Sequence, residues 1–202
     1  MAHTPIITAF NKWPSTGITI ADPGLGRYIS LDARFVPKTG ARYAGNRFHK
    51  SKCFIVERLI NKVTITGHKA KKHVRSSGHN TGKASRGYMA VQNAFTLIEQ
   101  RTKKNPIEVF VKALENACPR EEIITIEYGG ARYPKAVECS PQRRIDMVLR
   151  FFAQGAAGKC FNSKKDFVSA LADEILSAYN MSANSQAISK KLEIERQADS
   201  SR

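Results

Sequence analysis

From residue 51 onward, apolar side chains return every third or fourth position in block after block, and only once does that period give way to another. A first helix between Ser51 and about Thr66 carries Val56, Leu59, Ile60 and Val63 on one face. Val91, Ala94, Phe95 and Ile98 do the same for a second, from Tyr88 to Lys103. A third opens on Asn105-Pro106-Ile107-Glu108, where Asn105 suits the N-cap, proline is tolerated in the first turn and Glu108 can close a capping box. Its stripe is Val109, Phe110, Ala113, Leu114 and Ala117, and Pro119 ends it. Ser140-Pro141 starts a fourth by the same logic, with Ile145, Val148, Leu149, Phe152 and Ala156 inward and Gly155 and Gly158 expected to loosen its end. A fifth follows Ser163, with Asp166 as capping partner; Phe167, Ala170, Leu171, Ile175 and Ala178 share its face with one acid, Glu174. Past NMSANS, a last helix has only Ile188 and Leu192 to bury.

The single change of period is EIITIEYGGARYPKAVEC, two strand-like runs around Gly129-Gly130, a pair that supplies the positive φ of a tight hairpin turn. Pro134 argues against full pairing of the second run. Residues 1–50 are broken by PSTG, DPGLG and VPKTG and read as irregular. The expected fold is mainly α: a bundle of five or six helices with a protruding β-hairpin between the third and fourth. The chain divides into an irregular basic N-terminal extension (1–50), a helical domain (51–180, hairpin near 121–139) and a C-terminal tail or short helix (181–202).

Charge says what such a bundle would meet. Lys plus Arg number 33 against 17 Asp plus Glu, a net +16. That surplus implies a polyanionic partner, nucleic acid ahead of an anionic membrane. Residues 51–104 carry 12 basic and 2 acidic side chains and residues 140–165 carry 6 and 1, whereas residues 105–139 carry 4 and 6. The positive field therefore belongs to one face. No apolar run reaches the roughly 18 residues a membrane span needs, and MAHTPIITAFNKW lacks a signal peptide's apolar core, so a cytoplasmic chain is expected. Cys53, Cys118, Cys139 and Cys160 lie far apart with no CxxC pair, and His68, His73 and His79 lack metal-ligand spacing, so no metal or other cofactor is expected.

The stretch GHNTGKASRG (78–87) nearly spells a nucleotide-binding loop. Such a loop needs four residues between its glycines and a hydroxyl after its lysine. Here three separate Gly78 from Gly82, and Ala84 follows Lys83, so nothing would hold magnesium. The polybasic run from Gly67 to Arg86, with six cations and no acid, reads either as a solvated loop or as one laid against RNA phosphates. RYAGNRFHK (42–50) alternates Tyr43 and Phe48 with Arg42, Arg47, His49 and Lys50; it suits a strand of RNA or is a plain lead-in to the first helix. Arg143, Arg144 and Arg150 are free to face outward, and no catalytic constellation is present.

ERLINKVTITGHK, NAFTLIEQRTKKNPIEVFVKALENACPRE, YGGARYPKAVECSPQRR, LADEIL and the ending SQAISKKLEIERQADSSR resemble, in order and spacing, the family of ribosomal protein seven of the small subunit. ITIADPGLGRYISL is more similar to its archaeal and eukaryotic cytosolic branch than to the bacterial one. The resemblance implies a non-enzymatic protein on the 3′ major domain of small-subunit rRNA, where it assembles the head. Its hairpin and tail would lie near the mRNA exit channel and exit-site tRNA, beside neighbours including ribosomal proteins nine and eleven. On that basis Arg42, Arg47, Lys50 and Lys52 fall where the family meets rRNA, Lys62 stands in the matching INK, and Arg143 and Arg144 at the basic helix start. With Arg58, Lys83, Arg86, Arg120 and Arg150 these are the expected RNA-binding residues; Tyr128, Gly129, Gly130, Arg132 and Tyr133 form the expected hairpin tip. One departure stands out: Glu127 occupies a strand that is Arg-rich in the family, leaving the hairpin to act sterically or through Arg132 and Lys135. The readings that compete are a regulatory RNA binder off the ribosome, a nucleotide-dependent enzyme and a DNA-compacting protein.

Overall fold

A computed structural model describes residues 7–40, 42–66 and 82–202. The helices are α1 (Pro23–Gly26), α2 (Ile55–Val63), α3 (Ala84–Thr102), α4 (Pro106–Ala117), α5 (Pro141–Cys160), α6 (Phe167–Tyr179) and α7 (Gln186–Asp199). A 3₁₀ turn, His49–Lys52, precedes α2, and strands β1 (Glu121–Tyr128) and β2 (Ala131–Glu138) form an antiparallel hairpin between α4 and α5. The mainly helical bundle with one inserted hairpin is thus present. The much larger part of the polybasic 67–86 run, including His68, His73 and His79, lies outside the described residues.

Periodicity explains the packing. α6 sits against α3, α4 and α5, and α2 against α3 and α5. Phe95, Phe110 and Phe152 are fully buried, and their rings follow one another at centroid separations of 5.7 and 6.3 Å. Residues 7–40 are irregular apart from the single turn α1, yet they contribute to this same core. Trp13 lies edge-on to Phe95 at 6.1 Å, Phe10 packs on Tyr88, and Leu25 and Ile29 are buried.

One local expectation holds and several others are revised. Asn105 caps α4 by accepting from the Ile107 N–H at 3.0 Å, and its amide donates to the Pro14 carbonyl at 2.7 Å, tying the N-terminal segment down. The N-cap of α6 is Asp166, not Ser163. Ser163 belongs to the exit of α5: Asn162 turns left-handed (φ 52°), and the Ser163 hydroxyl donates back to the carbonyls of Lys159 and Cys160. Pro134 is fully paired with Thr125. Counting back from the Gly129-Gly130 turn (φ 57° and 81°), that pair falls at a non-hydrogen-bonded position, where proline's missing N–H would have pointed out of the ladder.

The C-terminal helix is held by more than its weak stripe. Leu192 is exposed; Ala187, Ile188 and Ala198 are buried instead. Glu174, fully buried on α6, accepts from the Ser185 hydroxyl at 2.8 Å and the Ala187 N–H at 3.1 Å, so it caps the start of α7. Lys159 on α5 completes the site at 2.6 Å. α7 then runs along β1, where the Glu195 carboxylate accepts from the Arg120 N–H and Arg202 grips Glu121.

Gly155 does not loosen α5, which continues to Cys160. It is glycine because a Cβ there would stand 2.9 Å from the Glu174 carboxyl carbon. Gly155→Ala is therefore expected to lower the unfolding free energy by about 1–3 kcal/mol, read by urea denaturation, because packing this tight cannot absorb a methyl group. A wild-type midpoint would contradict the packing described.

Candidate nucleic-acid interface

The helical period that turns Ile145, Val148, Leu149 and Phe152 inward necessarily turns Arg143, Asp146 and Arg150 to another side of α5. Opposite that side stand the 3₁₀ turn and α2. Between them runs an open groove of about 560 Å³, lined by Arg47, Phe48, Lys50, Lys62, Ser140, Gln142, Arg143, Asp146, Met147 and Arg150. Five of the expected cations thus converge from two segments nearly a hundred residues apart.

The groove's one acid organises it. Asp146 pairs with Lys50 and, at 3.2 Å, with Arg58, whose guanidinium also donates to the Tyr28 carbonyl at 3.1 Å. Burial opposes ionisation of Asp146, but the bonds and charges of Lys50 and Arg58 outweigh it and hold the carboxyl below its ordinary 3.8. Lys62 is drawn below the usual lysine range, first by burial and then by repulsion from Arg150, Lys50 and Arg58, with Asp146 alone pulling the other way. A half-buried ammonium in so positive a field is stabilised by an incoming anion.

The remaining expected residues fall in different places. Arg58 is 5 % exposed and engaged inside the fold. Arg144 is also turned in, donating to the Pro119 carbonyl and pairing with Asp22, both at 2.9 Å. Arg143 reaches Glu122 at 2.6 Å but stays half exposed, linking the groove to the hairpin base. Arg42 and Lys52 are exposed on the segment leading into α2. Lys83 and Arg86 line a smaller cleft with Val63, Thr64 and Phe167 at the start of α3. Arg120 opens on a third cavity, where Asp22, Glu115, Glu121 and Glu138 match Lys112, Arg144, Lys191 and Arg120 itself in number; that balance offers a polyanion no advantage.

Register sorts the hairpin into two faces. Ile124, Ile126, Tyr128, Tyr133 and Lys135 share one, and all four of the apolar or aromatic residues are exposed, Tyr128 by 81 %. Glu127 lies on the other and pairs across the strands with Arg132 at 3.6 Å. The acid in the first strand therefore leaves the aromatic face without a negative charge beyond Glu122, which Arg143 neutralises. Gly129 and Gly130 form the turn itself.

Sequence reasoning missed Asp146, although it was the one acid in residues 140–165. Among the described residues no group of three or more His, Cys, Asp or Glu is placed to hold a metal, and no helix is long and apolar enough to cross a membrane. Burial pushes the thiols of Cys53, Cys118 and Cys139 up to about 12, which suits packing and not nucleophilic chemistry.

Because the folded Asp146 carboxyl titrates below its ordinary value, its contribution is complete above pH 3.8 and is lost as the pH falls through the folded value. Asp146→Asn is expected to cost about 1–3 kcal/mol at neutral pH, because Arg58 and Lys50 lose a charged acceptor. In denaturation measured across pH, the gap from wild type should close on acidification below that range; a gap that persists unchanged would contradict the pairing.

With this geometry in place, comparison with known proteins is direct. The family model described as "Ribosomal protein S7p/S5e" matches residues 26–202. A protein of Nanoarchaeum equitans named "Small ribosomal subunit protein uS7" is 49% identical over 193 residues, covering 96% of this chain and 98% of its own. Its namesake in Archaeoglobus fulgidus is 45% identical over 196 residues (97% and 95%), and that of Methanothermobacter thermautotrophicus 45% over 191 (95% and 97%). Each is an archaeal protein named as a ribosomal subunit protein and none as an enzyme, in agreement with the non-enzymatic role and the archaeal and eukaryotic branch that the resemblance implies. With family model and relatives both spanning nearly its whole length, the chain belongs to the S7p/S5e family of small-subunit ribosomal proteins.

Proposed function

We propose that this protein binds the 3′ major domain of small-subunit rRNA in the cytoplasm and helps assemble the subunit head. The observation that carries this reading is the groove, where Arg47, Lys50, Lys62, Arg143 and Arg150 converge around a single acid that the fold itself occupies. RNA phosphates supply the negative charge that this cluster lacks, and the curvature of a folded transcript supplies selectivity. Arg42 and Lys52, exposed on the segment leading into α2, and Lys83 and Arg86, exposed at the start of α3, extend the interface; Arg58 and Arg144 act through the fold, not through contact with RNA. The hairpin leads directly into α5, and Arg143 ties its base to the groove through Glu122. Its aromatic face and tip, from Tyr128 to Tyr133, lie toward mRNA at the exit channel and exit-site tRNA, with ribosomal proteins nine and eleven as neighbours.

Counterion release makes the reading quantitative. If about eight cations meet phosphate, affinity for an isolated 3′ major-domain RNA should fall about a thousandfold or more between 50 and 200 mM salt. Filter binding measures this. Arg47→Glu with Arg150→Glu should weaken binding and flatten that slope by about two, whereas Lys190→Glu, whose ammonium pairs with Glu193 on α7, should change neither. A flat salt dependence, or the reverse ranking of these variants, would contradict the assignment.

A further inference from the structure

Two aromatic rings interrupt the cations between residues 42 and 50, and the structure gives them different work. Tyr43 is half buried, and its hydroxyl accepts from the Asn61 amide at 3.2 Å, so it belongs to the scaffold. Phe48 does not. It is 57 % exposed on the wall of the basic groove, next to Arg47 and ahead of the turn that carries Lys50.

A phenyl ring 57 % exposed forgoes about 1–2 kcal/mol of burial, so its place in the groove asks for an occupant. The surrounding charge restricts what that can be. A basic or neutral protein segment would have to lie among Arg47, Lys62 and Arg150, and the backbone of a regular duplex presents phosphates but no flat face to a ring. An unpaired nucleotide presents both. Gln142, only 7 % exposed in the same groove, adds an independent sign of an absent ligand. Its Oε1 is engaged by the Ser51 hydroxyl at 2.8 Å, while its buried Nε2 has no acceptor among the described residues. A buried donor without a partner is costly, and the edge of a base is a suitable acceptor.

We propose that the groove captures an unpaired nucleotide of the folded RNA, its flanking phosphates on Arg47, Lys62 and Arg150 and its base stacked on the ring of Phe48. This rests on the RNA-binding reading above and adds to it. The groove then distinguishes a bulge, loop or junction from regular helix, through stacking that does not depend on which base is presented.

The test uses the full chain and 3′ major-domain RNA. The one native tryptophan, Trp13, is buried at 3 % exposure, so Phe48→Trp places a reporter on the surface against a shielded background. Phe48→Trp keeps a ring that can stack, and its emission should be quenched on saturation with RNA. Phe48→Leu, apolar but unable to stack, should lose about tenfold in affinity with the salt slope unchanged. Arg47→Gln should instead lower the slope by about one. If Phe48→Leu binds as wild type, or if the new tryptophan is unquenched while salt-dependent binding persists, the groove meets phosphates alone and the stacking proposal falls although the RNA reading stands. If no variant, nor wild type, shows salt-dependent binding, both fall.

Discussion

The pairing of Asp146 with Lys50 and Arg58 is the interaction on which the basic groove depends. It joins the turn before α2 to the second turn of α5, elements far apart in sequence, and it does so from inside the groove that they form. Without that carboxylate, Lys50, Arg58, Lys62 and Arg150 would repel one another across a half-buried wall, and the segment holding Arg47 and Phe48 would lose one of its anchors. A single internal acid lets several cations be held close together while their combined field still points outward.

The same economy of charge separates scaffold from surface elsewhere. Glu174 is neutralised by Lys159 and directed at the first turn of α7; Asp173 takes Arg101 and Lys165; Asp22 takes Arg144; Glu121 takes Arg202. These pairs stitch helix to helix and the tail helix to the hairpin base. Each pair consumes an acid together with a cation, so the net positive charge rests on cations without an ion-pair partner among the described residues, with Arg47, Lys62 and Arg150 of the groove among them. Membership in a family of small-subunit ribosomal proteins gives that imbalance its natural counterpart in RNA.

Much of this was legible in the sequence because helical stripes and turn chemistry are local. The Asn105-Pro106 start of α4, the Gly129-Gly130 turn and the inward stripe of α5 follow from neighbours within a few residues. What escaped notice depended on contacts between distant elements. Gly155 reads as a helix weakener until Glu174 of α6 is seen against it. Arg58 and Arg144 look like free cations until Asp146, Tyr28, Asp22 and Pro119 are found holding them. Leu192 looks like a core residue until the capping of α7 by Glu174 shows why so weak a stripe suffices. Of the expected RNA-binding residues, the groove set is the part where local pattern and tertiary placement coincide.

The most direct trial of this account is a density map of the small subunit containing this chain, read at the groove between α5 and the residue 47–62 segment. The account predicts rRNA backbone there, with phosphate oxygens within hydrogen-bonding distance of Arg47, Lys62 and Arg150 and Asp146 still bound to Lys50 and Arg58. A groove open to solvent, with the transcript lying instead against the charge-balanced cavity beside α4 and α7, would contradict it.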